Sequence, residues 1–137
     1  MSRVLTFYRS SIGKKTIMAL SGMVLFGFVL THMIGNLKLY QGADAVNAYA
    51  RFLREMGTPL FSHASLLWTA RIILLASVIA HIVSAIQLAQ SNRRARPLGY
   101  KKQQYLAASY AARTMIWSGP LLAAFIIYHI MHLTTGW

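Results

Sequence analysis

Three long stretches without a charged residue dominate this sequence. They are residues 16–37, 72–92 and 114–137, with 22, 21 and 24 residues respectively. A bilayer core ~30 Å thick is crossed by about 20 helical residues rising ~1.5 Å each, so every stretch is long enough to span it. The first stretch is too long for the apolar region of a signal peptide and has no A-x-A-like exit. The sequence therefore predicts an all-α fold, a transmembrane helix bundle with three spanning helices. We place them at about 15–38, 64–91 and 110–135.

Composition excludes several other classes of protein. With 137 residues the chain has room for one domain, which we assign as a single membrane-anchor domain over 1–137. Hydrophobic residues make up 56% and charged residues 12%, which argues against a soluble enzyme with a wet surface. The absence of cysteine excludes disulfides, cysteine-ligated zinc and an iron–sulfur cluster held by this chain. Two acidic residues leave almost nothing for a catalytic carboxylate pair.

The basic residues are distributed unevenly around the predicted helices. Of the 14 Lys and Arg, ten lie before the first helix or between the second and third, where there is no acidic residue: Arg3, Arg9, Lys14, Lys15, Arg93, Arg94, Arg96, Lys101, Lys102 and Arg113. The connection from residue 38 to 63 carries a net charge of +1. Short basic loops stay in the cytoplasm, so we expect the N-terminus and the loop between the second and third helices on the inner side of a cytoplasmic membrane. Topology and anionic lipid then account for the charge, and no nucleic-acid partner is expected.

A short amphipathic helix is predicted over about 44–56. Its apolar residues fall at helical spacing: Val46, Tyr49, Phe52 and Leu53. Asp44 is placed as its N-cap, and Gly57 with Pro59 provides the stop. We expect this helix to lie on the outer membrane surface.

Each spanning helix contains a histidine in its apolar stretch: His32, His81 and His129. A lone intramembrane histidine is often a hydrogen-bonding group between helices, but three on three helices favour a role as ligands. Without cysteine, the natural metal is haem iron held by neutral imidazole. His63 lies near the outer interface and is interpreted as a surface residue.

The heights of these histidines suggest which of them pair. His32 and His129 lie 17 and 16 residues from Lys15 and Arg113, so both are ~25 Å above their inner anchors and share a level. They are expected to clamp one haem. His81 lies ~18 Å above Arg93 and has no partner at its level. Either one haem binds, or a fourth ligand comes from elsewhere.

Polar residues near these histidines are candidates for binding the haem propionates. Arg71 near the outer end of the second helix is one, with snorkelling to the headgroups as the alternative. Asn36 and Lys38, just past His32, are two more. His132 is a rival ligand to His129, or a contact to a propionate or quinone.

A short repeated pattern places a Ser-Gly pair at the same distance before two of the histidines. Ser21-Gly22 precedes His32 by ten to eleven residues, and Ser118-Gly119 precedes His129 by the same offset. Close helix packing accounts for small residues of this kind by itself. The repeated offset to histidine adds both pairs to the candidate haem site.

These segments resemble the dihaem cytochrome b membrane anchor of bacterial succinate:quinone oxidoreductases, in the succinate dehydrogenase/fumarate reductase superfamily. The resemblance covers essentially the whole chain. It is carried by S-S-I-G-K-K-T-I-M-A-L-S-G, T-H-M-I-G-N-L, G-A-D-A-V-N-A-Y-A-R-F-L-R, A-H-I-V-S-A-I-Q-L, Q-S-N-R-R-A-R-P, R-T-M-I-W-S-G and Y-H-I-M-H-L-T.

The resemblance implies five helices and two haems b with four axial histidines. It implies that His32 and His129 ligate the distal haem, and that His81 ligates the proximal haem together with a residue on helix four. The chain stops at Trp137, after helix three. We therefore expect the missing helices from further sequence or from another chain, and one haem fully ligated here. Menaquinone or another quinone is implied too, with Glu55 as the nearest acidic candidate.

The expected function is that of an electron-transfer subunit of succinate dehydrogenase. Electrons would pass from a flavoprotein subunit, through an iron–sulfur subunit docked on the basic inner face, to haem and membrane quinone. Succinate itself would be oxidised on another subunit. Two alternatives stay open: a haem-free structural anchor or transporter fragment, and a di-histidine cytochrome b of another dehydrogenase.

Overall fold

In the part of the chain that the structure describes, the fold is built from α-helices. A computed structural model describes residues 3–95, 98 and 110–137. Its helices are α1 (Arg3–Arg9), α2 (Ser11–Asn36), α3 (Ala43–Glu55), α4 (Ser65–Ala95) and α5 (Tyr110–Leu133), with a 3-10 helix over Leu37–Gln41 after α2. No strand occurs in these ranges. The predicted all-α fold class is confirmed.

Three of the helices are long and apolar enough to cross a membrane. The candidate spans cover Ser11–Gln41, Ser65–Ala95 and Arg113–Leu133, with 31, 31 and 21 residues. Large apolar side chains face outward on all three, for example Phe26 at 66%, Leu75 at 62% and Leu121 at 72% exposure. Such surfaces suit hydrocarbon as the solvent, since a water-soluble chain would bury them. Cytoplasmic orientation of the N-terminus stays a prediction.

Two of the spanning helices extend beyond the bounds expected from the sequence. The first begins at Ser11 because Ser10 caps it, its side-chain oxygen accepting a hydrogen bond from the Gly13 amide at 2.9 Å. The second continues to Ala95, so that Arg93 and Arg94 lie in its last turn. Cations there interact favourably with the carbonyl end of the helix dipole. The basic residues Arg96, Lys101 and Lys102 lie outside the described residues.

The chain divides into two compact units, Met1–Pro97 and Leu98–Trp137. In the first unit α2 and α4 pack side by side, with Ser21 and Ser84 buried to 7% and 4% exposure. Small side chains let two membrane helices approach closely, which is the main source of helix association in lipid. The second unit contains α5, which has Pro120 in its interior. The assignment of one domain over 1–137 stays a prediction.

The amphipathic helix α3 begins one residue earlier than expected, and its N-cap is Gly42 rather than Asp44. Gly42 has φ +96°, a backbone conformation that glycine adopts without steric cost. The prediction that Asp44 is the cap is therefore wrong. Asp44 lies instead in the first helical turn, where a negative charge is favourable next to the exposed amides.

Candidate functional site

The imidazole of His81 is held against α2 by two polar contacts. Its Nδ1 lies 3.0 Å from the carbonyl oxygen of Met18 and 3.3 Å from the hydroxyl oxygen of Ser21. A carbonyl oxygen only accepts hydrogen bonds, so Nδ1 must carry a hydrogen and donate it. The contact therefore identifies which ring nitrogen is protonated.

The hydroxyl oxygen of Ser21 is a second hydrogen-bond acceptor beside the His81 ring. This oxygen lies 2.7 Å from the carbonyl oxygen of Ile17, to which the hydroxyl donates its hydrogen. The lone pairs of the same oxygen are then available to the His81 Nδ1–H as a second acceptor. A neutral imidazole with its hydrogen on Nδ1 carries an unshared electron pair on Nε2, the atom that binds a metal.

Gly22 allows the His81 ring to lie against the α2 backbone. A Cβ atom at Gly22 would lie 3.2 Å from Cε1 and 3.5 Å from Nδ1 of His81, so any side chain here presses on the ring. The Ser21-Gly22 pair thus contacts a histidine on α4. The repeated sequence pattern associated this pair with His32 on the same helix, and it did not predict the contact with His81.

An apolar groove lies beside this contact, between α2 and α4. It has a volume of about 390 Å³ and is lined by Ile17, Leu20, Ser21, Val24, Ile73, Ala76, Ser77 and Ala80. Its walls are almost entirely aliphatic, and Ser21 and Ser77 are its polar residues. His81 follows directly after Ala80 and is partly exposed.

The other two intramembrane histidines are each stacked on an aromatic ring one helical turn earlier. The ring centroids of Phe28 and His32 are 5.0 Å apart, and those of Phe125 and His129 are 5.6 Å apart. Stacking restricts rotation of an imidazole without using its nitrogen atoms. The sequence interpretation missed these two phenylalanines, although the spacing F-x-x-x-H is present in both helices.

The rival ligand His132 shares this feature, since its ring stacks on Tyr128 at 5.7 Å. Stacking therefore does not separate His129 from His132. In the second unit the Ser118 hydroxyl donates to the carbonyl oxygen of Met115 at 3.1 Å, and Gly119 is exposed. Since α2 and α5 belong to different units, pairing of His32 with His129 stays a prediction.

The candidate propionate partners lie near the N-terminal end of α4 and the C-terminal end of α2. Arg71 is exposed, with its guanidinium carbon 4.9 Å from the ring centroid of Trp68. This cation–π contact places the charge beside a residue type that prefers the membrane interface. Asn36 is the exposed last residue of α2, and the Lys38 ammonium donates to the side-chain oxygen of Gln41 at 3.4 Å.

The two remaining candidates are at the surface. His63 is exposed in the turn before α4, and Glu55 is the exposed last residue of α3. Within residues 3–95, 98 and 110–137 no three or more His, Cys, Asp or Glu side chains converge on a metal-sized site. Axial ligation of haem iron needs two histidines at most, so a haem site does not require a cluster of three such side chains.

Comparison of the chain with protein-family models, with curated proteins and with solved structures finds no match. Function is therefore argued from the residues and their geometry, together with the sequence resemblance.

Proposed function

We propose that this chain is a haem-b-binding membrane anchor of a bacterial succinate:quinone oxidoreductase, passing electrons from an iron–sulfur subunit to membrane quinone. The observation that carries the proposal is the His81 imidazole, held by Met18 and Ser21 between two apolar helices of spanning length. The sequence resemblance supports the same function.

The fit of His81 to a haem ligand depends on its second nitrogen. Metal-bound histidines almost always donate the hydrogen of the other ring nitrogen to a carbonyl or carboxylate, which fixes the tautomer and the ring orientation. The Met18 carbonyl does this for Nδ1 and leaves Nε2 as the ligand atom. Bound haem b supplies a one-electron carrier whose potential depends on its axial ligands and its burial.

His32 and His129 are assigned as the two ligands of a second haem. Each lies in an apolar helix and is restrained by a phenylalanine ring one turn earlier. Arg71, Asn36 and Lys38 are assigned to the propionates because they supply cationic and amide donors near the ends of α2 and α4.

The basic inner face is assigned to the soluble subunits. Lys14, Lys15, Arg93 and Arg94 lie in the first turns of α2 and the last turns of α4, without an acidic residue in either turn. An uncompensated positive surface steers an acidic partner into contact. Quinone is assigned to the part of this chain that lies within the membrane, away from the basic face.

The experiment is a pyridine-haemochrome assay with reduced-minus-oxidised spectra on the membrane complex purified through this chain, compared for the parent protein, His81→Ala and His63→Ala. We expect b-type absorbance in the parent protein and its partial loss in His81→Ala. The His63→Ala protein removes an exposed histidine outside the helices and should keep its full haem content. A parent protein without haem b would overturn the proposal.

A haem-free structural anchor is the second candidate, favoured by the same contact in a different role. The His81–Met18 hydrogen bond joins α4 to α2 and is sufficient reason for a histidine between two membrane helices. In that case His81→Ala lowers the stability of the α2–α4 pair and no visible absorbance changes, because none is present.

The electron donor distinguishes our proposal from the other alternative, a cytochrome b of another dehydrogenase. In membranes containing the complete complex, succinate should reduce the haem. Reduction by another donor, with none by succinate, would place the chain in a different dehydrogenase.

A further inference from the structure

The first 13 described residues form a helical elbow, residues 3–15, made of α1, Ser10 and the first turn of α2. Ser10 has an extended backbone, with φ −72° and ψ 154°, so the helix is interrupted there. The Ser10 hydroxyl donates to the Phe7 carbonyl oxygen at 2.7 Å and accepts from the Gly13 amide at 2.9 Å. One side chain thus joins the end of α1 to the start of α2 and fixes the turn.

Gly13 makes this elbow possible. A Cβ atom there would lie 2.0 Å from the carbonyl oxygen of Phe7 and 2.8 Å from its carbonyl carbon. Both are backbone atoms, which cannot move aside as a flexible side chain can. Any other residue at position 13 must therefore displace α1 from α2.

The elbow concentrates positive charge. It carries Arg3, Arg9, Lys14 and Lys15, and the first acidic residue in the chain is Asp44. The two arginines and Lys15 are exposed. The elbow therefore presents several cations without an internal counter-charge.

Exposed apolar side chains are interleaved with these cations. Leu5, Phe7 and Tyr8 are 50%, 49% and 42% exposed, and Ile12 is 70% exposed. Residues four apart share a helix face, so Arg3 lies over Phe7 and Arg9 lies over Leu5. Each pairing sets a charged head group beside an apolar side chain.

We propose that the elbow binds anionic phospholipid at the membrane surface, with the guanidinium groups of Arg3 and Arg9 on the lipid phosphates and its apolar side chains in the acyl boundary. Continuity with α2 places it there, because the apolar span begins within the same helix. The mixture of charge and exposed apolar area is what an interfacial segment requires. A soluble acidic protein would match the charges and leave the apolar side chains without a partner. The proposal does not depend on haem.

The test uses the complete chain, which contains no cysteine, so that Thr6→Cys gives one attachment site for a spin label. Thr6 lies in α1 and is exposed. The labelled protein is reconstituted in nanodiscs of phosphatidylcholine, with or without phosphatidylglycerol, and the ratio of immobilised to mobile signal is measured by electron paramagnetic resonance. We expect the immobilised signal to rise with phosphatidylglycerol and to fall again at high salt.

Charge variants test the role of the arginines. Arg3→Gln with Arg9→Gln should lower the ratio roughly 25-fold, since each basic residue near an anionic surface changes binding roughly fivefold. Arg51→Gln with Arg54→Gln is the matched control, because Asp44 and Glu55 balance those charges within α3. The control should leave the ratio unchanged. An equal fall in both variants, or no response to phosphatidylglycerol, overturns the proposal, and the latter outcome favours a protein partner.

Glycine variants test the elbow itself. Gly13→Ala should release α1 and make the label mobile even with phosphatidylglycerol present. Gly27→Ala is the control on the same helix, since a Cβ at Gly27 meets no atom of the described residues within 4 Å. An immobilised label in Gly13→Ala would contradict the requirement for the bend.

Discussion

At the scale of single residues, a backbone carbonyl determines which ring nitrogen of a histidine carries the hydrogen. The acceptor for His81 Nδ1 is the main-chain oxygen of Met18, not a side chain that substitution could remove. Ser21 adds a second, longer contact at 3.3 Å. The tautomer is therefore a property of how α2 and α4 pack.

A first prediction concerns this tautomer in the haem-free protein. Nitrogen-15 NMR of the histidine-labelled chain should show hydrogen on Nδ1 of His81, because the Met18 carbonyl accepts only from a protonated nitrogen. The His81→Gln variant assigns the signal. A hydrogen found on Nε2 with Nδ1 bare would contradict the geometry.

A second prediction concerns Gly22. Gly22→Val should push the imidazole away from α2 and lower the free energy of unfolding by about 1–3 kcal/mol, the usual cost of overpacking. The matched control is Gly27→Val, which adds the same side chain to the same helix away from other atoms of the described residues. Denaturation of both variants in detergent gives the comparison, and equal losses would show that His81 is not the cause.

At the scale of elements, α3 contacts the C-terminal end of α2 through Tyr49 and Gly35. A Cβ at Gly35 would lie 2.7 Å from Cε1 and 2.8 Å from the hydroxyl oxygen of Tyr49, so the tyrosine ring lies directly on the glycine. Gly35 is three residues after His32. Any side chain at that position of α2 would therefore have to displace the Tyr49 ring.

A third prediction tests this contact. Gly35→Val should displace the Tyr49 ring and increase hydrogen exchange in Ala43–Glu55 about 5- to 150-fold, equivalent to 1–3 kcal/mol, while α4 keeps its protection. In a Tyr49→Ala background the same valine should have little further effect, because its obstacle is gone. Additive effects of the two changes would show that Tyr49 is not what Gly35 accommodates.

At the scale of the whole molecule, the apolar surface and the uneven charge distribution act together. Exposed aliphatic and aromatic side chains cover α2, α4 and α5, while the cations concentrate at particular helix ends. Lipid is the solvent that satisfies both features.

A fourth prediction concerns orientation in the membrane. Single cysteines at Thr6, Ala48 and Ser91 are treated with a membrane-impermeant thiol reagent on intact spheroplasts. Only the cysteine at Ala48 should react from outside, since short basic segments are expected to stay in the cytoplasm. All three should react after permeabilisation. Labelling at Thr6 from outside would reverse the proposed topology.

A fifth prediction concerns the pairing of histidines on separate helices. His32→Ala and His129→Ala should each remove the same haem, because both are assigned as its axial ligands. Redox titration of the remaining haem in each variant identifies which one was lost. Loss of different haems would refute the pairing, and an intact haem in His129→Ala would favour His132 as the ligand.

The spanning helices can be predicted from the sequence more fully than the candidate site can. The existence of three spanning helices followed from uncharged length, and the structure confirms it. Helix ends were less well predicted, since Ser10 and Gly42 act as caps through local backbone geometry. The histidines were found from their positions, while Met18 could not be found because its side chain takes no part in the contact.

The sequence by itself determined that the chain suits a bilayer, because hydrophobic length and charge are local properties that survive any arrangement of the helices. Tertiary structure alone decided that Ser21 and Gly22 serve His81, 60 residues away. That contact depends on which faces of α2 and α4 meet and at what register. Both depend on how the two helices pack around buried residues such as Ser21, Ser84 and Leu88, and the residue spacing within either helix alone does not determine them.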